Sequence, residues 1–161
     1  MTGNRHRVHI IGCGDIGRRT AVLCRQAQQE VSAWVKSTAS LEACRELGLP
    51  SQLLDLDLLG EAPELRPGGH VLYTVPPPPG GQADSRIRAL LERVDADLVE
   101  RFVLISTSGV YGNCEGRWVD EDTPIHPVAD RALRRADAEA SLRKWALEKG
   151  KEYLILRVPG I

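Results

Sequence analysis

The stretch that decides the fold is Arg7-Val8-His9-Ile10-Ile11-Gly12-Cys13-Gly14-Asp15-Ile16-Gly17, continued by Arg18-Arg19-Thr20-Ala21-Val22-Leu23. An apolar run passes directly into G-x-G-x-x-G, and the residues beyond it take the period of a helix, so strand, tight turn and helix follow without a linker. Each glycine then has its own use. Gly12 permits the turn, Gly14 lets backbone approach a pyrophosphate, and Gly17 lets helix and strand pack closely. The helix start adds unpaired N–H groups and the positive end of its dipole, which suit an anion. A glycine-rich turn without a ligand would not require this order of elements. Dinucleotide binding by Gly12, Cys13, Gly14, Asp15, Ile16 and Gly17 is therefore the expectation.

Outward from this unit, short apolar runs alternate with segments of helical period, the signature of βαβ units. Strands are expected at Arg7–Ile11, Val31–Val35, Ser51–Leu54, His70–Val75, Arg101–Ser106 and Tyr153–Arg157. Helices are expected from about Ile16 to Gln29, Leu41 to Leu47, Asp84 to Ala96 and Asp130 to Lys149, with Gly48 and Gly150 as stops. Only the connection from Asp55 to Gly69 lacks a helical pattern. Right-handed crossovers give an α/β, Rossmann-like, doubly wound parallel sheet of six strands ordered 3-2-1-4-5-6, with helices on both faces.

A length of 161 residues suits one domain with one core, 1–161. Hydrophobic residues at 42%, charged residues at 27% and a formal charge of -1 disfavour a disordered tail and a generic nucleic-acid binder. No apolar run approaches the roughly 18 residues that span a bilayer, and the basic start lacks a signal-peptide core, so a cytoplasmic protein without membrane contact is expected. The four cysteines, Cys13, Cys24, Cys44 and Cys114, form no C-x-x-C pair, and the four histidines do not cluster with them in sequence. Neither a zinc site nor a disulfide framework is indicated, and no metal is expected. Oligomeric state is not written in the sequence.

The end of the second strand bears on which dinucleotide binds. An NAD site usually carries Asp or Glu there for the ribose 2′-OH, but the chain reads Ala33-Trp34-Val35-Lys36-Ser37-Thr38, with no carboxylate until Glu42. Lys36 and Ser37 suit a 2′-phosphate instead, although most lysines at a strand end are simply solvated. NADP is expected over NAD.

The fifth strand ends in Ile105-Ser106-Thr107-Ser108-Gly109-Val110-Tyr111-Gly112. Further along come Asp55-Leu56-Asp57, Glu121-Asp122-Thr123-Pro124 and Leu156-Arg157-Val158-Pro159. With the glycine loop, these stretches resemble the extended branch of the short-chain dehydrogenase/reductase superfamily, the NAD(P)-dependent sugar-nucleotide epimerases and dehydratases. The resemblance covers essentially the whole chain. It implies that Gly12, Gly14 and Gly17 take the pyrophosphate, Asp55 and Leu56 the adenine, and Val75-Pro76 the nicotinamide ribose side. Thr107 falls where the family's substrate-binding Ser/Thr sits, and a nucleotide-sugar or other small molecule becomes the implied substrate. The alternative for Thr107 is a hydroxyl that satisfies backbone in a turn.

One family motif is absent. The family carries Tyr-x-x-x-Lys on the helix after this loop, where the ammonium lowers the phenol pKa for proton exchange. Aligning Ala138-Glu139 with that helix puts Arg131 at the Tyr position and Arg135 at the Lys position, and Tyr73, Tyr111 and Tyr153 have no Lys four residues on. The chain thus resembles the atypical subgroup that keeps the nucleotide site and lacks the pair. A non-catalytic, NADP-sensing regulator is the alternative to an oxidoreductase or epimerase. A Rossmann domain for another nucleotide is a third reading, disfavoured by Asp55-Leu56 and the V-Y-G stretch.

Arg131, Arg134 and Arg135 share a helix face and are read as a solvated stripe rather than an anion site. Pro76 to Pro79 read as a stiff loop beside the cofactor. His126, Trp118, Asp120 and Glu121 fall in a loop expected to overhang the cofactor, each a candidate proton donor in place of tyrosine. Cys13 sits where a helix start would lower its pKa, or where only a small residue fits. Family members normally continue beyond the stretch ending at Ile161 into the substrate pocket, so a fragment or a truncated product is expected.

Overall fold

The computed structural model describes residues 6–58 and 60–159, so the first of the basic N-terminal residues and Ile161 lie outside the description. Six strands, β1 (Arg7–Ile11), β2 (Glu30–Val35), β3 (Ser51–Leu53), β4 (Gly69–Tyr73), β5 (Val99–Thr107) and β6 (Glu152–Val158), form one sheet. Its order is β3-β2-β1-β4-β5-β6, and every pairing is parallel. Helices α1 (Asp15–Gln26), α2 (Thr38–Glu46), α3 (Ser85–Arg93) and α4 (Asp130–Lys149) connect them. This is the doubly wound Rossmann-like arrangement the alternation implies. No described helix is long and apolar enough to cross a membrane.

The side-chain period of two divides the central strands between two cores. Val8 and Ile10 of β1 join Ala33, Val35 and Leu72 under Ala21 of α1 and Leu41 and Cys44 of α2. Ile11 joins Trp34, Val71, Tyr73, Phe102 and Leu104 under Ile87 and Leu90 of α3 and Leu142 and Trp145 of α4. The segment between β3 and β4 has no described helix, as expected, and contributes Leu54, Leu56 and Leu65 to the second core. Leu154 and Leu156 of β6 remain exposed.

Several boundaries differ from the sequence expectation, each for a local reason. α1 ends at Gln26 rather than Gln29 because Gln28 adopts φ +60° and Gln29 N donates to Cys24 O at 2.9 Å. That is the helix stop usually made by glycine, here without one. Gly48 and Gly150 make the same stop at φ +64° and +62° after α2 and α4. α2 begins at Thr38, not Leu41, because Ser37 caps it by accepting from Ser40 N at 3.2 Å. α3 closes at Arg93 because Val94 turns extended, and residues 96–98 form a separate 3-10 turn. β4 runs from Gly69 to Tyr73 and stops short of the expected Val75, while β5 starts two residues earlier at Val99.

His9 is one of two buried polar side chains inside the sheet, with Ser106 of β5. Its side chain is buried, edge-on to Trp34 with ring centroids 5.6 Å apart, and its Nε2 lies 3.1 Å from Arg66 O. Gly69 makes room for it, since a Cβ there would lie 2.3 Å from the imidazole. Burial, opposed by the backbone contact, lowers the His9 pKa from 6.5. The unfolded chain therefore binds the proton first, and stability that is full above pH 6.5 declines as the pH falls through the lowered folded value. Urea midpoints measured from about pH 7 to about pH 5 should fall in the native protein, and His9→Leu should remove part of that slope.

Candidate functional site

At the carboxyl ends of the strands the chain reverses winding between β1 and β4, and the glycine loop crosses that point. Gly12 N and Cys13 N both donate to Trp34 O on β2, at 2.9 and 3.0 Å. Thr74 Oγ1, just past β4, donates to Gly12 O at 2.6 Å. The loop is thereby tied to both neighbouring strands. Gly12 has φ +88°, and a Cβ there would lie 2.6 to 3.0 Å from Val75. A Cβ on Gly17 would meet Ile10 Cγ2 at 3.0 Å, so this glycine closes α1 onto β1. A Cβ on Gly14 would meet only Gly12 O, at 3.8 Å, and its φ of −78° is negative. Gly14 is thus open to the cleft, not required by the fold.

Two clefts meet at Gly12, Gly14 and Pro76. The first, of about 200 Å³, lies over β1 to β3 and is lined by Trp34, Val35, Lys36, Asp55, Leu56, Val75 and Arg86. Its charges are tied to one another. Lys36 Nζ lies 2.6 Å from Asp57 Oδ2 and 3.1 Å from Asp55 Oδ1, and Arg86 holds Asp57 through two contacts of 2.7 Å. Arg86 and Lys36 keep the Asp57 carboxyl well below the usual carboxylate range, and Asp57 and Asp55 hold the proton on Lys36. Ser37 is occupied as the α2 cap, and its neighbour Ser40 lines the cleft.

The second cleft, of about 210 Å³, lies toward β5 and is lined by Asp15, Ile16, Gly17, Thr74, Ser106, Thr107, Arg131 and Arg135. Thr107 Oγ1 accepts from Gly109 N at 3.2 Å, which leaves its proton for donation. Ser106 Oγ instead donates at 2.7 Å to Glu139, which is fully buried. Arg157 and Arg143 complete the Glu139 carboxylate, at 2.9 and 3.4 Å. Arg157 also donates to the Tyr111 hydroxyl at 2.9 Å, which in turn donates to Asp120 O at 2.7 Å. Tyr111 of the V-Y-G stretch is therefore held inside this network and does not line the second cleft.

Three sequence expectations change. Arg134 and Arg135 are buried, not a solvated stripe: Arg134 donates to Gly81 O at 2.6 Å and Arg135 to Val75 O at 2.8 Å. With Arg86 on Pro76 O at 3.0 Å, they clamp the proline-rich loop between the clefts. Trp118, Asp120 and Glu121 line neither cleft but a separate depression with Arg143 and Arg157, and His126 lines neither cleft. The Cys13 thiol is fully buried and points away from the cleft, and burial, reinforced by Cys44, pushes it up to about 12. The sequence signal for Arg135 and Glu139 was their place in the buried spacing Ala132, Arg135, Ala138, Glu139, Leu142 and Trp145. A further grouping invisible in sequence, His6, His70 and Glu100, lies at the opposite ends of the strands.

Solved structures share this fold. A functionally unknown conserved protein from Silicibacter pomeroyi superposes with a TM-score of 0.78 and 26% identity over 94% of this chain and 52% of its own. A short-chain dehydrogenase/reductase superfamily protein from Agrobacterium tumefaciens, solved with bound NAD, gives 0.72 and 20% over 94% and 48%. A UDP-glucuronic acid 4-epimerase from Bacillus cereus, in complex with NAD, gives 0.71 and 20% over 95% and 56%. The chain spans about half the length of these proteins. No protein-family model and no curated protein matches the sequence.

The glycines separate folding from access. Gly12→Ala should cost about 2–4 kcal/mol in urea unfolding, from the left-handed φ and the clash with Val75. Gly14→Ala should stay within about 0.5 kcal/mol of the native protein.

Proposed function

We propose that the whole chain is one NAD(P)-binding Rossmann domain of the short-chain dehydrogenase/reductase type, related to the epimerases and dehydratases. The observation that carries this reading is the pair of clefts meeting at an open Gly14, across the point where the strand order reverses. The residues fit the dinucleotide. Gly12, Gly14, Asp15, Ile16 and Gly17 would take the pyrophosphate at the start of α1, with Cys13 contributing backbone only. Asp55, Leu56 and Trp34 would hold the adenosine end, and Val75 and Pro76 the passage to the nicotinamide end. Thr107 would orient a substrate carbonyl or alcohol oxygen by hydrogen bond. When bound, the dinucleotide supplies a hydride donor or acceptor. The NAD-bound neighbours of the same fold support the dinucleotide, and the epimerase neighbour supports a nucleotide-sugar substrate.

NADP remains the proposed form, because β2 ends in Val35-Lys36-Ser37 with no carboxylate and the α2 start lies beside Ser40. Asp55 and Asp57 limit that preference by holding Lys36 and Arg86 in a charge-balanced group. A second reading, a dinucleotide sensor without turnover, is favoured by the tyrosines. Tyr73 is fully buried, Tyr111 is tied to Arg157, and none of the chain's three lines the second cleft.

Fluorescence titration should show NADPH binding that is abolished in a folded Gly14→Val variant. NADPH should bind about threefold to tenfold tighter than NADH, Lys36→Ala should erase the difference, and Asp57→Asn should enlarge it. Wild-type affinity in Gly14→Val would refute the site, and a preference for NADH would refute the role of Lys36. Substrate-dependent NADPH oxidation that is lost in Thr107→Ala would exclude the sensor.

A further inference from the structure

The second cleft carries a surplus of positive charge on the wall away from the glycine loop. Its lining holds two guanidinium groups, Arg131 and Arg135, one helical turn apart at the start of α4. The one acid in that lining, Asp15, is already bonded to Arg19 at 2.9 Å. Arg131 is exposed and makes no hydrogen bond or ion pair among the described residues.

Arg135 is the more constrained of the two. Its side chain is 9% exposed, one nitrogen donates to Val75 O, and Nη1 has no hydrogen-bond partner. The nearest carboxylate, Asp84, is wholly buried with its Oδ2 3.6 Å from Nη1, too long for a hydrogen bond. Burial raises the Asp84 carboxyl toward its neutral form, and burial lowers Arg135, to which the Arg131 charge adds. A guanidinium keeps its proton in proteins, so Arg135 adds a standing positive charge beside Arg131, offset within the fold only by the ion pair with Asp84.

Such groups bind rather than exchange protons. No tyrosine, histidine or lysine lines this cleft, while the planar donors of arginine match a carboxylate or phosphate. Thr107 lines the same cleft, and its hydroxyl proton is free for donation. α1 and α4 pack on opposite faces of the sheet, so the cleft has one wall suited to the cofactor's diphosphate and another made by Arg131 and Arg135.

We propose that this cleft takes an anionic substrate, a carboxylate or phosphate ester that also carries a carbonyl or hydroxyl, with the anion on Arg131 and the neutral oxygen on Thr107. The proposal rests on the dinucleotide reading for the position of the reactive end, but the anion site itself is testable without it. Arg131 is a specificity-determining residue in this account, and Arg135 a positioning residue that also holds the Val75 carbonyl.

The test is calorimetric titration of the 161-residue chain with oxalate and with inorganic phosphate, first alone and then saturated with NADP⁺. Oxalate or phosphate should bind with NADP⁺ present, and Arg131→Gln should weaken that binding at least fivefold while changing NADP⁺ affinity less than twofold. Arg131→Lys should fall between, since it keeps the charge and loses the fork. Circular dichroism checks that the variants fold, which the exposure of Arg131 favours. Anion binding that is unchanged in Arg131→Gln, or absent from the native protein, overturns the proposal. Competition between the anions and NADP⁺, with a matching loss of NADP⁺ affinity in Arg131→Gln, overturns it too and gives the arginine to the cofactor's own phosphates. Failure of NADP⁺ to bind at all refutes the dinucleotide reading, and the titration without NADP⁺ then decides the anion site separately.

Discussion

The contact between Gly12 and Val75 is the constraint on which the rest of the site depends. The loop leaving β1 must cross the end of β4 with no side chain between them, and it is fastened there from both sides by the Trp34 carbonyl and the Thr74 hydroxyl. That crossing sets the direction in which α1 departs and leaves Gly14 facing outward. It also fixes where the chain beyond β4 can go. Val75 and Pro76 pass directly beside the loop, and the stretch up to Gly81 is then held by carbonyl contacts from Arg86, Arg134 and Arg135. Proline supplies stiffness and no N–H donors, so side-chain donors must hold such a segment through its carbonyls.

The polar groups within the second core serve the same end. Glu139 occupies a position on α4 that spacing assigns to an apolar residue, and it is fully buried. Burying a carboxylate is costly unless it is paired and hydrogen-bonded, and here Ser106, Arg157 and Arg143 do both. Ser106 is on β5 and Arg157 on β6, so one carboxylate registers α4 against two strands. Arg157 reaches further, lying over the Tyr111 ring with its carbon 4.8 Å from the centroid. The end of β5, which carries Thr107 to the cleft, and the turn that follows are thereby fixed to α4.

What was legible in the sequence follows from what local patterns encode. Strand order, the βα alternation and the glycine loop were readable because each rests on short-range periodicity and the one residue type that tolerates the required backbone. The stop of α1 at Gln28 was not, since a glutamine at positive φ has no composition cue. Lys36 and Ser37 were read as a phosphate site from their place at the end of β2. Half of that place is taken by long-range pairs to Asp55 and Asp57 and by a helix cap, and the pairs depend on β2 and β3 lying side by side. Arg134 and Arg135 were misread because charged residues on a helix are normally solvated, and nothing local reveals the carbonyls they reach in the proline-rich loop.

The two clefts differ in how their charge is settled, and this difference shapes what each can recognise. Around the first, Lys36 and Arg86 face Asp55 and Asp57, so the group is neutral before any ligand arrives. A phosphate entering there must compete with carboxylates already at hydrogen-bond distance, which is why the proposed preference between dinucleotides is a shallow one. Around the second, Arg131 has no partner among the described residues, and Arg135 is held by the Val75 carbonyl and pairs with buried Asp84 at 3.6 Å. An anion entering there displaces water and meets the exposed Arg131 guanidinium, which makes no bond among the described residues. On the proposed dinucleotide reading, selectivity for charge would belong to the end of the site nearest Thr107, while the adenosine end would depend chiefly on shape and on the apolar lining of Trp34, Leu54 and Leu56.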